Sequence, residues 1–242
     1  MSTALQSIET EEAIAAKKRL IEAGRILEVN GQSDFTKGHV SVRVPGDPDH
    51  FFMKPHSVGF DEMTLENIVV CDMNGDKVGG AGRRHSEVYI HSEIYKGRPD
   101  VNSVIHTHSV HVVALSATGQ PVLPVSQPAV VFAEGVPYYT DTIELIRQAD
   151  KGAALARALG KHRAVLLRNH GVAVVGESLE EATMLTIMLD EACEIQLAAQ
   201  SAGGIGAMFS AEIVERLRKS MLPTEHYFIN FNYLARKLNR AG

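Results

Sequence analysis

The sequence predicts one α/β domain in which helices flank a largely antiparallel or mixed sheet. Short apolar runs bounded by turn residues alternate with segments of helical spacing. Two pairs of those runs are joined by hairpin signals, "PGDPD" (45–49) and "NGD" (74–76). No Gly-rich phosphate loop follows the first strand, which argues against a doubly wound nucleotide fold. The chain has 242 residues and is 45% apolar, enough for a full core, and no linker divides it. A single domain over 1–242 is expected.

Residues 8–30 have apolar residues near helical spacing, and Asn30-Gly31 stops the pattern. "HVSVRV" (39–44) alternates as a half-buried strand does, with "HFFMK" (50–54) as its partner. "NIVVCDMNGDKV" (67–78) reads as strand, turn, strand. A helix is predicted over 86–97 with Ser86 as its N-cap, a strand over 101–108, and a helix over 109–119 ending at Gly119. Next come a strand near 129–132, an extended "VPYYT" (136–140) and a helix over 144–160. "RAVLLRNHGVAVVG" (163–176) reads as two strands joined at "NHG". A long helix over 178–203 starts with a capping box, Ser178 to Glu181, and helical segments close the chain.

Net charge is −5 and no basic stripe stands out, so nucleic acid is not an expected partner. "AAKKRL" (15–20) is expected on a solvated or intersubunit surface. Cys71 and Cys193 form no disulfide framework, and Cys193 reads as a core thiol. The N-terminus reads as neither signal peptide nor membrane span, which predicts a cytoplasmic protein with no membrane partner.

"VIHTHSVH" (104–111) places three histidines in six positions. On a strand, His106 and His108 share a face and Thr107 points away. Two imidazoles there can grip one divalent cation, or they can be plain strand-end histidines. His170, beside Gly171 at a strand corner, is either a third ligand or a turn histidine. Glu87 can ligate a metal or act as acid and base, or simply sit at a helix start as a dipole partner. His111 reads as a structural or supporting residue.

"GHVSVR" (38–43), "HSEVYIHSEIYKGRPDVNSVIHTHSVHVVALS" (85–116) and "AVLLRNHGVAVVG" (164–176), in that order, resemble the class II aldolase/adducin-like family over about 12–200. The resemblance implies a central antiparallel sheet and His106, His108 and His170 as ligands of one divalent ion per subunit, Zn²⁺ or Mn²⁺. It implies Glu87 as the catalytic carboxylate, which also completes the resting metal shell. A homotetramer with sites near subunit interfaces is implied as well.

The departures from the family pattern bear on substrate. His39 stands where sugar-phosphate members carry Asn, "MKPHSVGF" (53–60) has no Thr-Gly turn, and Gln127 aligns with the aldolase tyrosine. Arg43, His56, Arg83 and Arg84 add cationic character, with Arg43 on the His39 face. Substrate contacts are expected from His39, Ser41, Lys54, Arg84, Ser86 and Gln127. The branch most resembled decarboxylates hydroxylated aromatic acids such as dihydroxyphthalates. Retro-aldol cleavage of a hydroxy-carbonyl or sugar-phosphate substrate is the alternative, and a non-catalytic adducin-like module a third reading. The C-terminal Tyr227, Phe228 and Tyr233 are expected in core or lid.

Overall fold

β-Branched runs build the sheet. The computed structural model describes residues 10–241. Its strands are β1 (His39–Val44), β2 (Asp47–Met53), β3 (Val69–Asp72), β4 (Lys77–Gly79), β5 (Ser103–Thr107), β6 (Tyr138–Tyr139), β7 (Ala164–Leu167) and β8 (Gly171–Gly176). They form one sheet in the order β4-β3-β2-β1-β5-β8-β7-β6. Every pairing is antiparallel except β6 with β7.

Helices cover both faces, as an antiparallel sheet buried on both sides requires. α1 (Glu11–Val29), α3 (Val110–Thr118), α6 (Leu179–Ser201) and α8 (Thr224–Ala241) lie with one face, together with the short α4 (Gln127–Val130) and α7 (Ala211–Met221). α2 (Val88–Gly97) and α5 (Ala149–Leu159) cover the other. Val40 and Ile105 enter the first core, and Phe51, Val104 and Ala173 the second. β1 is therefore buried on both faces along most of its length, not half-buried.

The ends follow local chemistry. Thr10 accepts the Ala13 N–H and caps α1, and Gly31 leaves it at φ +72°. The start predicted at Ile8, and the first nine residues of the N-terminal stretch expected to be neither signal peptide nor membrane span, lie outside the described residues. Ser178 accepts the Glu181 N–H, while the Glu181 carboxylate reaches back one residue further than a capping box requires, to Glu177. Cys193 is a buried free thiol, and no helix among the described residues is long and apolar enough to cross a membrane.

Four expectations need correction. The predicted strand near 129–132 opens instead as the helix α4, because Pro128 sits in its first turn. Residues 144–148 are not helical, and α5 starts only at Ala149. Ser86 is not the cap of α2: Glu87 is, without a side-chain capping bond, because its carboxylate turns elsewhere. The basic cluster is not simply solvated. Arg19 pairs with Glu180 at 2.7 Å, and Lys17 lies over the Phe52 ring. In α8, Tyr227 and Phe231 are core residues, whereas Phe228 and Tyr233 are exposed.

Candidate active site

Three strand ends and one helix start converge. His106 lies on β5 facing α2, and His108 follows just past the strand end. His170 precedes β8, in a corner where Asn169 takes a left-handed φ of +58°. The corner lies close to β5: a Cβ on Gly171 would stand 2.3 Å from the Thr107 carbonyl oxygen. Only glycine permits that approach.

The three rings meet. Centroids of His106 and His108 are 4.7 Å apart, those of His106 and His170 are 5.0 Å, and those of His108 and His170 are 5.1 Å. One nitrogen from each lies within 4.8 Å of the others. The orientation suits a cation. His106 Nδ1 lies 2.9 Å from the Val172 carbonyl oxygen, so that nitrogen carries the proton and donates. His108 Nδ1 faces Asp34 Oδ2 at 3.4 Å. The first contact leaves His106 Nε2 as a lone pair, the Asp34 charge favours the proton of His108 on Nδ1 without a formed hydrogen bond, and the two Nε2 atoms stand 3.0 Å apart. Both ring nitrogens of His170 are buried without a hydrogen-bond partner. Burial holds His170 down to about 4 and lowers His106 and His108 as well, so the rings stay neutral, the form that ligates.

Glu87 completes the cluster. It is 2% exposed, and its Oε1 accepts the Ile146 N–H at 3.0 Å and lies 3.9 Å from His170 Nε2. Burial raises its pKa above the usual carboxylate range, opposed by the Ile146 bond and the Arg147 charge.

His108, His170 and Glu87 line a cavity of 830 Å³, with His106 buried behind them. Its cationic and polar wall includes Lys37, His56, Ser86 and Arg147, and its apolar wall Val110, Val113, Ile143 and Leu145. A separate groove of 670 Å³ beside Arg19 and Val42 contains none of the histidines.

The expected substrate contacts divide. Ser86 lines the cavity, as does His56. His39 is fully buried behind Glu87 and His106, not on the cavity wall. Ser41 is also buried and bonds His91 and Tyr95. Lys54 donates inward to the Thr36 carbonyl at 3.0 Å, and burial pulls it down to about 8. Arg84 lies 5.9 Å from the Tyr89 ring centroid, and Arg83 is exposed. Arg43 fastens β1 to the carbonyls of Tyr95 and Val101. Gln127 is exposed on α4, outside the cavity wall. His111 pairs with Asp190 at 3.2 Å. Arg147, Lys37, Asp34 and His91 were not anticipated. His91 carried a signal, since four residues after Glu87 is one helical turn on the same face.

A family profile described as "Class II Aldolase and Adducin N-terminal domain" matches residues 18–197. The chain is 34% identical over 172 residues to a Streptomyces niveus protein named Decarboxylase NovR, covering 70% of this chain and 64% of that one. It is 35% identical over 173 residues to the 4-hydroxy-3-prenylphenylpyruvate oxygenase/4-hydroxy-3-prenylbenzoate synthase of Streptomyces roseochromogenus subsp. oscitans, covering 71% and 62%. The matches thus span less than two thirds of either relative. The solved L-fuculose 1-phosphate aldolase from Glaciozyma antarctica PI12 superposes with a TM-score of 0.84 at 27% identity, covering 97% of this chain and 92% of that one.

Proposed function

We propose that this chain, which belongs to the class II aldolase and adducin N-terminal domain family, is a divalent-metal-dependent carbon–carbon lyase that decarboxylates a hydroxylated aromatic carboxylate. The observation that carries the reading is the convergence of three neutral imidazoles and a buried carboxylate, all but His106 lining a cavity with one cationic and one apolar wall. His106, His108 and His170 hold one Zn²⁺ or Mn²⁺, with Glu87 beside it. When bound, such an ion supplies a Lewis acid that takes up negative charge as the carbon–carbon bond parts.

The chain's own residues do the rest. Val110, Val113 and Ile143 offer an apolar wall to an aromatic ring. Lys37 and Arg147 offer positive charge to carboxylates, in the role first expected of His39 and Arg84, and His56 adds a neutral polar group. As CO₂ leaves, the bonding electron pair stays on the ring carbon. Glu87, whose raised pKa lets it hold a proton nearer neutrality, delivers that proton to the carbon. The decarboxylase-named relative supports this reaction. The fold likeness to a fuculose-phosphate aldolase supports retro-aldol cleavage as the second reading.

The test is a purified, metal-loaded protein offered hydroxylated phthalates and, separately, hydroxy-ketones, under argon and in air. CO₂ release under argon is expected. Aldehyde without CO₂ selects the aldolase, CO₂ that requires air selects an oxygenase reaction, the word one relative's name uses, and a protein without stoichiometric divalent metal selects the structural module.

A further inference from the structure

His39 anchors a buried hydrogen-bond chain that the reaction above leaves unused. It stands opposite His106 in the β1–β5 register and is 0% exposed. Its Nδ1 is 2.5 Å from His91 Nε2, and His91 Nδ1 is 2.6 Å from Ser41 Oγ. Ser41 Oγ is 2.7 Å from the Tyr95 hydroxyl, which also reaches the Asn102 carbonyl oxygen at 3.5 Å. All four side chains are buried. At the other end, His39 Nε2 is buried without a hydrogen-bond partner and faces Glu87 Oε2 at 3.9 Å.

A neutral imidazole carries one N–H. Both rings are wholly buried, and the 2.5 Å contact between them needs one ring nitrogen to donate and the other to accept, as a pair of neutral imidazoles does. Each link therefore dictates the next, and the chain runs in one direction at a time. The two ends choose it. A phenol is a stronger acid than an alcohol, so the Tyr95 proton goes to Ser41 at 2.7 Å rather than to a carbonyl at 3.5 Å. Ser41 then donates to His91 Nδ1, and His91 donates from Nε2 to His39 Nδ1. The proton of His39 is left on Nε2. At the Glu87 end, an N–H facing a carboxylate is attracted, and a lone pair there is repelled.

We infer that Tyr95, Ser41 and His91 fix the tautomer of His39, which presents Nε2–H to the Glu87 carboxylate as a positioning residue. The reversed chain would instead turn a lone pair toward the cluster. It would make His39 a further metal ligand, since its nitrogen, Glu87 and His106 lie within 4.8 Å of one another. The consequence for catalysis rests on the lyase reading; the tautomers do not.

Neutron diffraction from deuterium-exchanged crystals of the metal-loaded protein tests this directly. Deuterium is expected on Nε2 of both His39 and His91. Deuterium on Nδ1 of either ring, or a metal bonded to His39 Nε2, overturns the inference. In the CO₂ assay, Ser41→Ala is expected to lower kcat about tenfold with KM and metal content unchanged, and Ser41→Thr to restore it. Unchanged kcat in Ser41→Ala counts against the role. Failure of every acid to release CO₂ sinks the reaction reading and leaves the deuterium positions to decide this one.

Discussion

Glu87 and His170 show how much burial alters a side chain's chemistry. Glu87 lies beside the imidazoles with its pKa raised by desolvation, which suits the part of ligand, proton donor or both that we propose for it. Glu87→Gln keeps the shape and the contact surface but removes the transferable proton. Turnover is expected to fall about 10²–10⁴-fold with substrate affinity nearly kept, read from kcat and KM. Near-normal kcat would remove Glu87 from the proton transfer. His170 makes no hydrogen bond through either ring nitrogen, so no hydrogen bond is lost when its ring is removed. His170→Ala is expected to lose bound metal while circular dichroism and the melting transition persist. Full metal content in that variant would refute its place as a ligand.

At the scale of elements, the corner between β7 and β8 positions that histidine. Gly171→Ala would place a methyl 2.3 Å from the Thr107 carbonyl oxygen and 2.8 Å from His108 Cδ2. The strands must part, and His108 with them. Metal affinity measured by competition with a chelator is expected to fall more than thermal stability does. The reverse would mean the close approach serves packing alone. Most strands, and the corner itself, were legible because β-branched runs and turn dipeptides are local signals. α4 was not, because the apolar run 129–132 has no period to separate strand from helix, and Pro128 decided it. Residues 144–148 misled similarly. Leu145 and Ile146 fit a helical pattern, yet this segment stays irregular so that the Ile146 N–H can bind Glu87 and Arg147 can line the cavity. The H-x-H spacing pointed to two of the three clustered histidines, whereas the inward turn of Ser41 and Lys54 depends on partners distant in sequence, which no local pattern encodes.

For the whole molecule, the buried histidines bear on the pH response, and the exposed cavity rim bears on the assembly we propose. His85 and His91 are held at about 3 by burial, against about 6.5 when unfolded. Between those values the unfolded chain binds more protons than the folded one, so stability is full above pH 6.5 and declines as pH falls toward 3. The slope reaches about 1.4 kcal/mol per pH unit for each such histidine. Glu87, shifted upward, offsets part of one. The melting temperature of chelator-treated protein is expected to drop steadily from pH 7 to 4.5, and a flat profile would contradict neutral burial. The rim exposes Val110 at 75% and Ile143 at 72%, both on the cavity wall. Apolar side chains so exposed beside a site favour cover by a second copy of the chain. Light scattering is expected to give about four times the 26.3 kDa subunit mass. Ile143→Asp is expected to reduce that mass and lower activity with metal content kept. If the mass holds while KM alone rises, the rim meets substrate and the assembly is built elsewhere.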